Sequence, residues 1–160
     1  MRRLDALIAE SPVFAGLRAD QLELIAGCGR NVTFAAGEQL FREGDAADTF
    51  FLVRHGLVGL DTYVPARGDV RTETLGPGEI VGWSWLVAPY RWHFSGRAVE
   101  SIRATEFDGG CLRDKCRESS ELGYQLLQRF AQLLVDRLQA VRLQMLDLYD
   151  VETHDDSKPS

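Results

Sequence analysis

The chain has 160 residues, 45% of them hydrophobic and 26% charged, and its 18 basic and 24 acidic side chains leave a net charge of −6. That balance suits one globular domain and excludes a disordered, collagen-like or low-complexity chain. The acidic surplus argues against the basic stripe of a protein that wraps nucleic acid, so no direct DNA binding is expected. No apolar run is long enough to span a membrane. The opening MRRLDALIAESP is broken by Asp5 and Glu10, unlike a secretory signal, and the expected location is cytoplasmic.

Residues 4–9 and 18–27 have helical spacing, the second with Leu22, Ile25 and Ala26 on one face. Asp20, with Glu23 three residues on, is the expected capping box of that second helix. From Asn31 the texture changes to short runs of Val, Phe, Leu and Thr punctuated by glycine. Strands are expected near 31–34, 39–41, 49–54, 57–63, 70–75, 80–82, 94–100 and 103–107, a small antiparallel roll rather than a βαβ sheet. After Asp108-Gly109-Gly110 a short helix is expected over 111–117. Ser119 or Ser120 then caps a long one running to about Tyr149.

The long helix carries two apolar stripes. Leu127, Ala131, Leu134, Leu138, Val141, Met145 and Leu148 alternate in steps of four and three, the seam that pairs two helices. Leu122, Leu126, Phe130 and Leu133 form a different face, left to pack on the roll. The expectation is a homodimer through this helix; burial of both stripes within one monomer is the alternative. The expected organisation is one domain over 1–150, with N-terminal helices to 30, a β-roll over 31–108 and C-terminal helices over 111–149. The polar tail 151–160 is expected to be disordered.

These residues resemble a family. FAAGEQLFREGDAADTFFLVRHGLVGL (34–60), LGPGEIVG (75–82) and AVESIRATEFD (98–108) are similar to the cyclic-nucleotide-binding domain of catabolite-activator-like (Crp/Fnr) regulators. The resemblance implies a mainly β fold with flanking helices: a double-stranded β-helix, or jelly-roll-like β-roll, with N-terminal helices and a long C-terminal helix. It also implies a phosphate-binding cassette in which a Gly-Glu pair opens a short helix facing the cyclic phosphate, the Glu accepts from the ribose, and an Arg followed by Ser or Thr neutralises the phosphate.

In VGWSWLVAPYRWHFSGRAV (81–99) that pattern is altered. Gly82 matches the glycine, Trp83 stands at the glutamate, Trp92 at the arginine and His93 at the Ser/Thr. Arg91 lies one residue early; in a strand that offset turns a side chain to the opposite face, and a bulge or a shorter loop is the alternative that would restore it to the pocket. The resemblance also implies ligand contacts from the long helix, where Val141 and Arg142 replace small hydroxyl residues. Losing the charged partner of a buried phosphate costs about 2–5 kcal/mol and losing the ribose acceptor about 1–3. Micromolar binding is worth about 8 kcal/mol, so tight binding of cAMP or cGMP is not expected and no cofactor is required.

The candidate pocket is therefore Gly82, Trp83, Ser84, Trp85, Arg91, Trp92, His93, Val141 and Arg142. Trp83, Trp85, Tyr90, Trp92 and Phe94 either build an aromatic box for a flat or anionic ligand or fill the hollow. The resemblance would place a DNA-reading domain after the long helix, and only about eleven residues follow Tyr149. The expected function is a stand-alone sensor acting through dimerisation and an unidentified protein partner. The alternatives are a ligand-free scaffold, a haem or redox sensor, and the effector-binding part of a transcription regulator.

Other chemistries have little support. Three cysteines, Cys28, Cys111 and Cys116, are an odd number that argues against a disulfide framework, and they are one short of a four-Cys iron–sulfur site. His55, His93 and Cys111 are possible haem ligands without a CxxCH motif. The three histidines are too scattered for a metal site, and no GxSxG occurs. No catalytic residue, metal ligand or enzyme activity is assigned.

Overall fold

The computed structural model describes residues 3–155. The chain divides after Tyr124 into two compact units. The first holds α1 (Leu4–Ile8), α2 (Ala19–Ala26), eight strands, α3 (Gly109–Glu118) and the start of α4 (Ser120–Asp155); the second holds the remainder of α4.

The strands are β1 (Gly29–Phe34), β2 (Gln39–Phe41), β3 (Thr49–His55), β4 (Val58–Val64), β5 (Gly68–Leu75), β6 (Ile80–Val81), β7 (Ser95–Ala98) and β8 (Ile102–Asp108). They form two four-stranded sheets of order β1-β8-β3-β6 and β2-β7-β4-β5, antiparallel at every pairing. This is the expected jelly-roll-like architecture.

Alternation along the strands builds the core. Phe51 and Val53 of β3 and Ile102 and Ala104 of β8 join Phe41, Val58, Leu60 and Ala98 of the other sheet in one buried cluster. The intervening side chains of the first sheet supply a second layer. Phe50 stacks on Phe107 at 4.7 Å between ring centroids, and Phe107 meets Phe14 at 5.7 Å. Ile8, Phe14 and Ile25, from the N-terminal segment, are fully buried.

Two helix starts differ in instructive ways. Gln21, not Glu23, closes the start of α2: its side-chain oxygen accepts from the Arg18 N–H at 3.1 Å. Asp20, expected as the cap, instead pairs with the Arg18 guanidinium at 3.0 Å, which holds its carboxyl below the usual range. The α4 cap is the expected one, with the Leu122 N–H donating to Ser119 Oγ at 3.3 Å.

On α4, Leu122, Leu126 and Phe130 are buried, whereas Leu127, Leu138, Val141, Met145 and Leu148 are exposed. Helix α4 runs to Asp155, and positions 156–160 of the expected tail lie outside the described residues. No helix among the described residues is long and apolar enough to cross a membrane.

Candidate functional site

The cassette runs from Gly82 to β7, and three backbone hydrogen bonds fix its path. The stretch after the loop lies beside 44–47: the Gly44 N–H donates to the Trp92 carbonyl (2.8 Å), the Trp92 N–H to the Asp45 carbonyl (3.0 Å) and the Ala47 N–H to the Tyr90 carbonyl (2.7 Å). The segment is extended there, so successive side chains alternate sides. Trp92 points inward and is 4% exposed, while Arg91 and His93 on either side are exposed.

The Trp92 ring lies on the Phe41 ring at 3.6 Å between centroids and 10° between planes. Phe94 flanks both, at 5.8 Å from Phe41 and 6.2 Å from Trp92, and half-buried Trp83 meets Phe94 edge-on at 5.1 Å. Two glycines make this stack possible. A Cβ on Gly82, whose φ is +104°, would stand 2.7 Å from the Trp92 ring, and one on Gly96 would stand 2.5 Å from the Phe41 ring. A side chain at either position would collide with the aromatic ring that occupies the space.

The five aromatics do not form one box. Trp83, Trp92 and Phe94 enter the roll. Trp85 turns to the opposite layer, where it is fully buried and stacks on Phe50 at 4.9 Å. Tyr90 lies beneath the Arg113 guanidinium, 4.4 Å from its ring centroid.

The polar candidates are equally dispersed. Arg91 Nη1 donates to the Gly44 carbonyl at 3.0 Å. Buried Ser84 and exposed His93 share a hydrogen bond between Oγ and Nδ1 at 3.1 Å. Val141 and Arg142 lie on α4 in the second unit, both exposed. Of the proposed seam on that helix, Leu127, Ala131, Leu138, Val141, Met145 and Leu148 are exposed and Leu134 is half-buried.

Two features escaped the reading of the sequence. Arg113 of α3, besides covering Tyr90, donates from Nη1 to the Trp85 carbonyl, so one side chain holds the cassette loop at two points. Nothing in the local pattern of α3 marks it for that role. The cysteine expectation is corrected: Cys28 and Cys111 form a disulfide, with Cα atoms 5.7 Å apart and a sequence separation of 83. An odd count left two thiols free to pair. Cys116 stays a free thiol, raised in pKa by burial. Among the described residues no group of three or more His, Cys, Asp or Glu could hold a metal ion.

Comparison with known proteins places the fold. The chain is 23% identical over 131 residues to a CRP-like cAMP-activated global transcriptional regulator of Mycobacterium tuberculosis, covering 82% of this chain and 58% of that protein. It is 31% identical over 133 residues to glutaminase 1 of Bradyrhizobium diazoefficiens, covering 82% of this chain but 21% of that protein. The chain thus spans less than two thirds of either relative. The crystal structure of Thermus thermophilus catabolite activator protein superposes with a TM-score of 0.69 at 26% identity, over 88% of this chain and 63% of that one. The sequence model of the cyclic nucleotide-binding domain matches residues 31–119, more than half of the chain, from within β1 through the end of α3. On the roll, the cassette and that match together, this chain belongs to the cyclic nucleotide-binding domain family.

Proposed function

We propose that this chain is a regulatory module of that family whose nucleotide hollow is filled by its own aromatic side chains, and which acts through a homodimer of α4 and a protein partner. The observation that carries the reading is the Trp92–Phe41 stack. By resemblance, Trp92 stands where the family has its phosphate-binding arginine. Here that position supplies a buried ring to the core cluster instead of a charge. Arg91 does not replace it, because its guanidinium lies at the surface against Gly44. Trp83, at the ribose-acceptor position, has no carboxylate to offer. A cyclic phosphate entering this space would meet apolar rings and no charge-assisted partner.

The reading assigns this module no enzyme activity, required cofactor or direct DNA contact. The exposed apolar seam of α4 has the spacing that a second copy of the helix would cover. A second reading, in which a bound ligand is the signal, rests on the Ser84–His93 pair beside the half-buried Trp83.

The test is calorimetric titration of dialysed protein with cAMP and with cGMP, with Arg91→Ala as a control. The expected result is no heat and no thermal shift up to millimolar nucleotide. Micromolar binding that Arg91→Ala abolishes would overturn the filled-hollow reading and make the chain a nucleotide sensor.

A further inference from the structure

The bridge between Cys28 and Cys111 joins the entry to β1 to the start of α3. Cys28 immediately precedes β1 and Cys111 lies in the first turn of α3. The antiparallel pairing of β1 with β8, in which Gly29 faces Phe107, brings these two ends together. Both cysteines line an open cleft of about 440 Å³ with Arg30, Thr49, Glu106 and Asp108.

Glycines stand on both sides of the first cysteine, at 27 and 29, and in the two positions before the second, at 109 and 110. Of the four immediate sequence neighbours of the two cysteines, only Leu112 has a side chain, and it is buried. Cys111 is half-buried and Cys28 is buried, so Cys111 offers the more accessible sulfur. The junction is also held without sulfur: the Asp108 N–H donates to the Cys28 carbonyl at 2.8 Å, the Gly109 N–H to the Asp48 carbonyl at 2.7 Å, and the Cys111 N–H to Asp108 Oδ1 at 3.0 Å.

From these observations we propose that Cys28–Cys111 is a reversible thiol–disulfide exchange site, opened by a dithiol entering this cleft, and that opening it releases the start of α3. A thiolate of the dithiol attacks the Cys111 sulfur; the Cys28–Cys111 bond breaks, and the Cys28 sulfur leaves with the electron pair and takes up a proton. The second thiol of the reductant then attacks its own sulfur in the mixed disulfide, and the Cys111 sulfur leaves with the electron pair and takes up the proton that thiol gives up. The reductant ends as a disulfide and the protein as a dithiol, with one S–S bond lost and one gained. The hydrogen bonds that remain keep the roll folded while α3 loses its cross-link to the start of β1. Arg113 rides on that helix, so its hold on Trp85 and Tyr90 loosens with it.

The proposal is independent of what the roll binds and of how α4 associates, because its readout is thiol state. Oxidised full-length protein is incubated under native conditions either with dithiothreitol or with thioredoxin, its reductase and NADPH, then quenched and alkylated for intact mass. The expected result is a gain of two alkyl groups over the one on Cys116, reversed by diamide, with the far-ultraviolet circular dichroism unchanged. Opening by both reagents identifies a protein-borne dithiol as competent; opening by dithiothreitol alone identifies a small one. Cys28→Ser and Cys111→Ser each abolish the two-group gain, and Cys116→Ser retains it. Amide exchange over 109–118 should be faster in the reduced protein.

Three free thiols after diamide treatment, a bridge that opens only in denaturant, or identical exchange over 109–118 in the two states would overturn the proposal. The wild-type titration decides the matter if either serine variant fails to fold.

Discussion

The Trp92 ring lies parallel to the Phe41 ring at 3.6 Å between centroids, with Gly82 bare beneath one and Gly96 bare beneath the other. This places a large aromatic side chain of the cassette in the interior of the roll, where Trp92 packs in the same cluster as Phe51, Val58 and Leu60.

Trp92→Ala should destabilise the fold by about 3–5 kcal/mol, the usual consequence of emptying a buried aromatic site. Urea denaturation measures it. A loss below about 1 kcal/mol would show that the ring is not core.

Gly82→Ala should cost about 1–3 kcal/mol, because the new methyl meets the Trp92 ring and the backbone there holds φ at +104°. In the Trp92→Ala background the steric part disappears and only the backbone strain remains. A double-mutant cycle separates the two, and strict additivity would mean the ring and the methyl never meet.

Leu134→Asp or Leu138→Asp should convert a dimer to a monomer, since a carboxylate placed in a paired apolar seam is left buried and unpartnered. Light scattering after gel filtration gives the mass directly. A variant that keeps the wild-type dimer mass would rule out the seam as the interface.

Arg113→Ala removes the hydrogen bond to the Trp85 carbonyl and the guanidinium over Tyr90. The expected loss is about 1–2 kcal/mol, with faster amide exchange confined to about residues 84–91. Exchange that rises evenly over the whole roll would point to a general loss of stability instead.

Cys116 should react slowly with iodoacetamide in the native protein, because burial raises its thiol pKa and thins the reactive thiolate. The native rate should lag that of the unfolded chain most near neutral pH and catch up as pH rises through the shifted value. By linkage, this group favours folding fully below its unfolded pKa, and that contribution is lost as pH rises through the folded one. Equal rates in the native and unfolded chains at neutral pH would contradict the shift.

What the sequence determined by itself is whatever local period and punctuation encode. Glycine-bounded runs placed the eight strands of the roll, and steps of three and four marked the two faces of α4, one with Leu122, Leu126 and Phe130 buried and the other exposed. The two-residue period also anticipated that Arg91 and Trp92 face opposite ways, because alternation in extended chain needs no knowledge of partners. Tertiary structure decided the rest. Five aromatics within twelve residues read as one cluster, yet the turn over 84–86 sends Trp85 to Phe50 and leaves Trp92 with Phe41. Cys28 and Cys111, 83 residues apart, meet only because β1 and β8 share a register. Such contacts depend on which strands pair and where the chain reverses, and no local spacing carries that information.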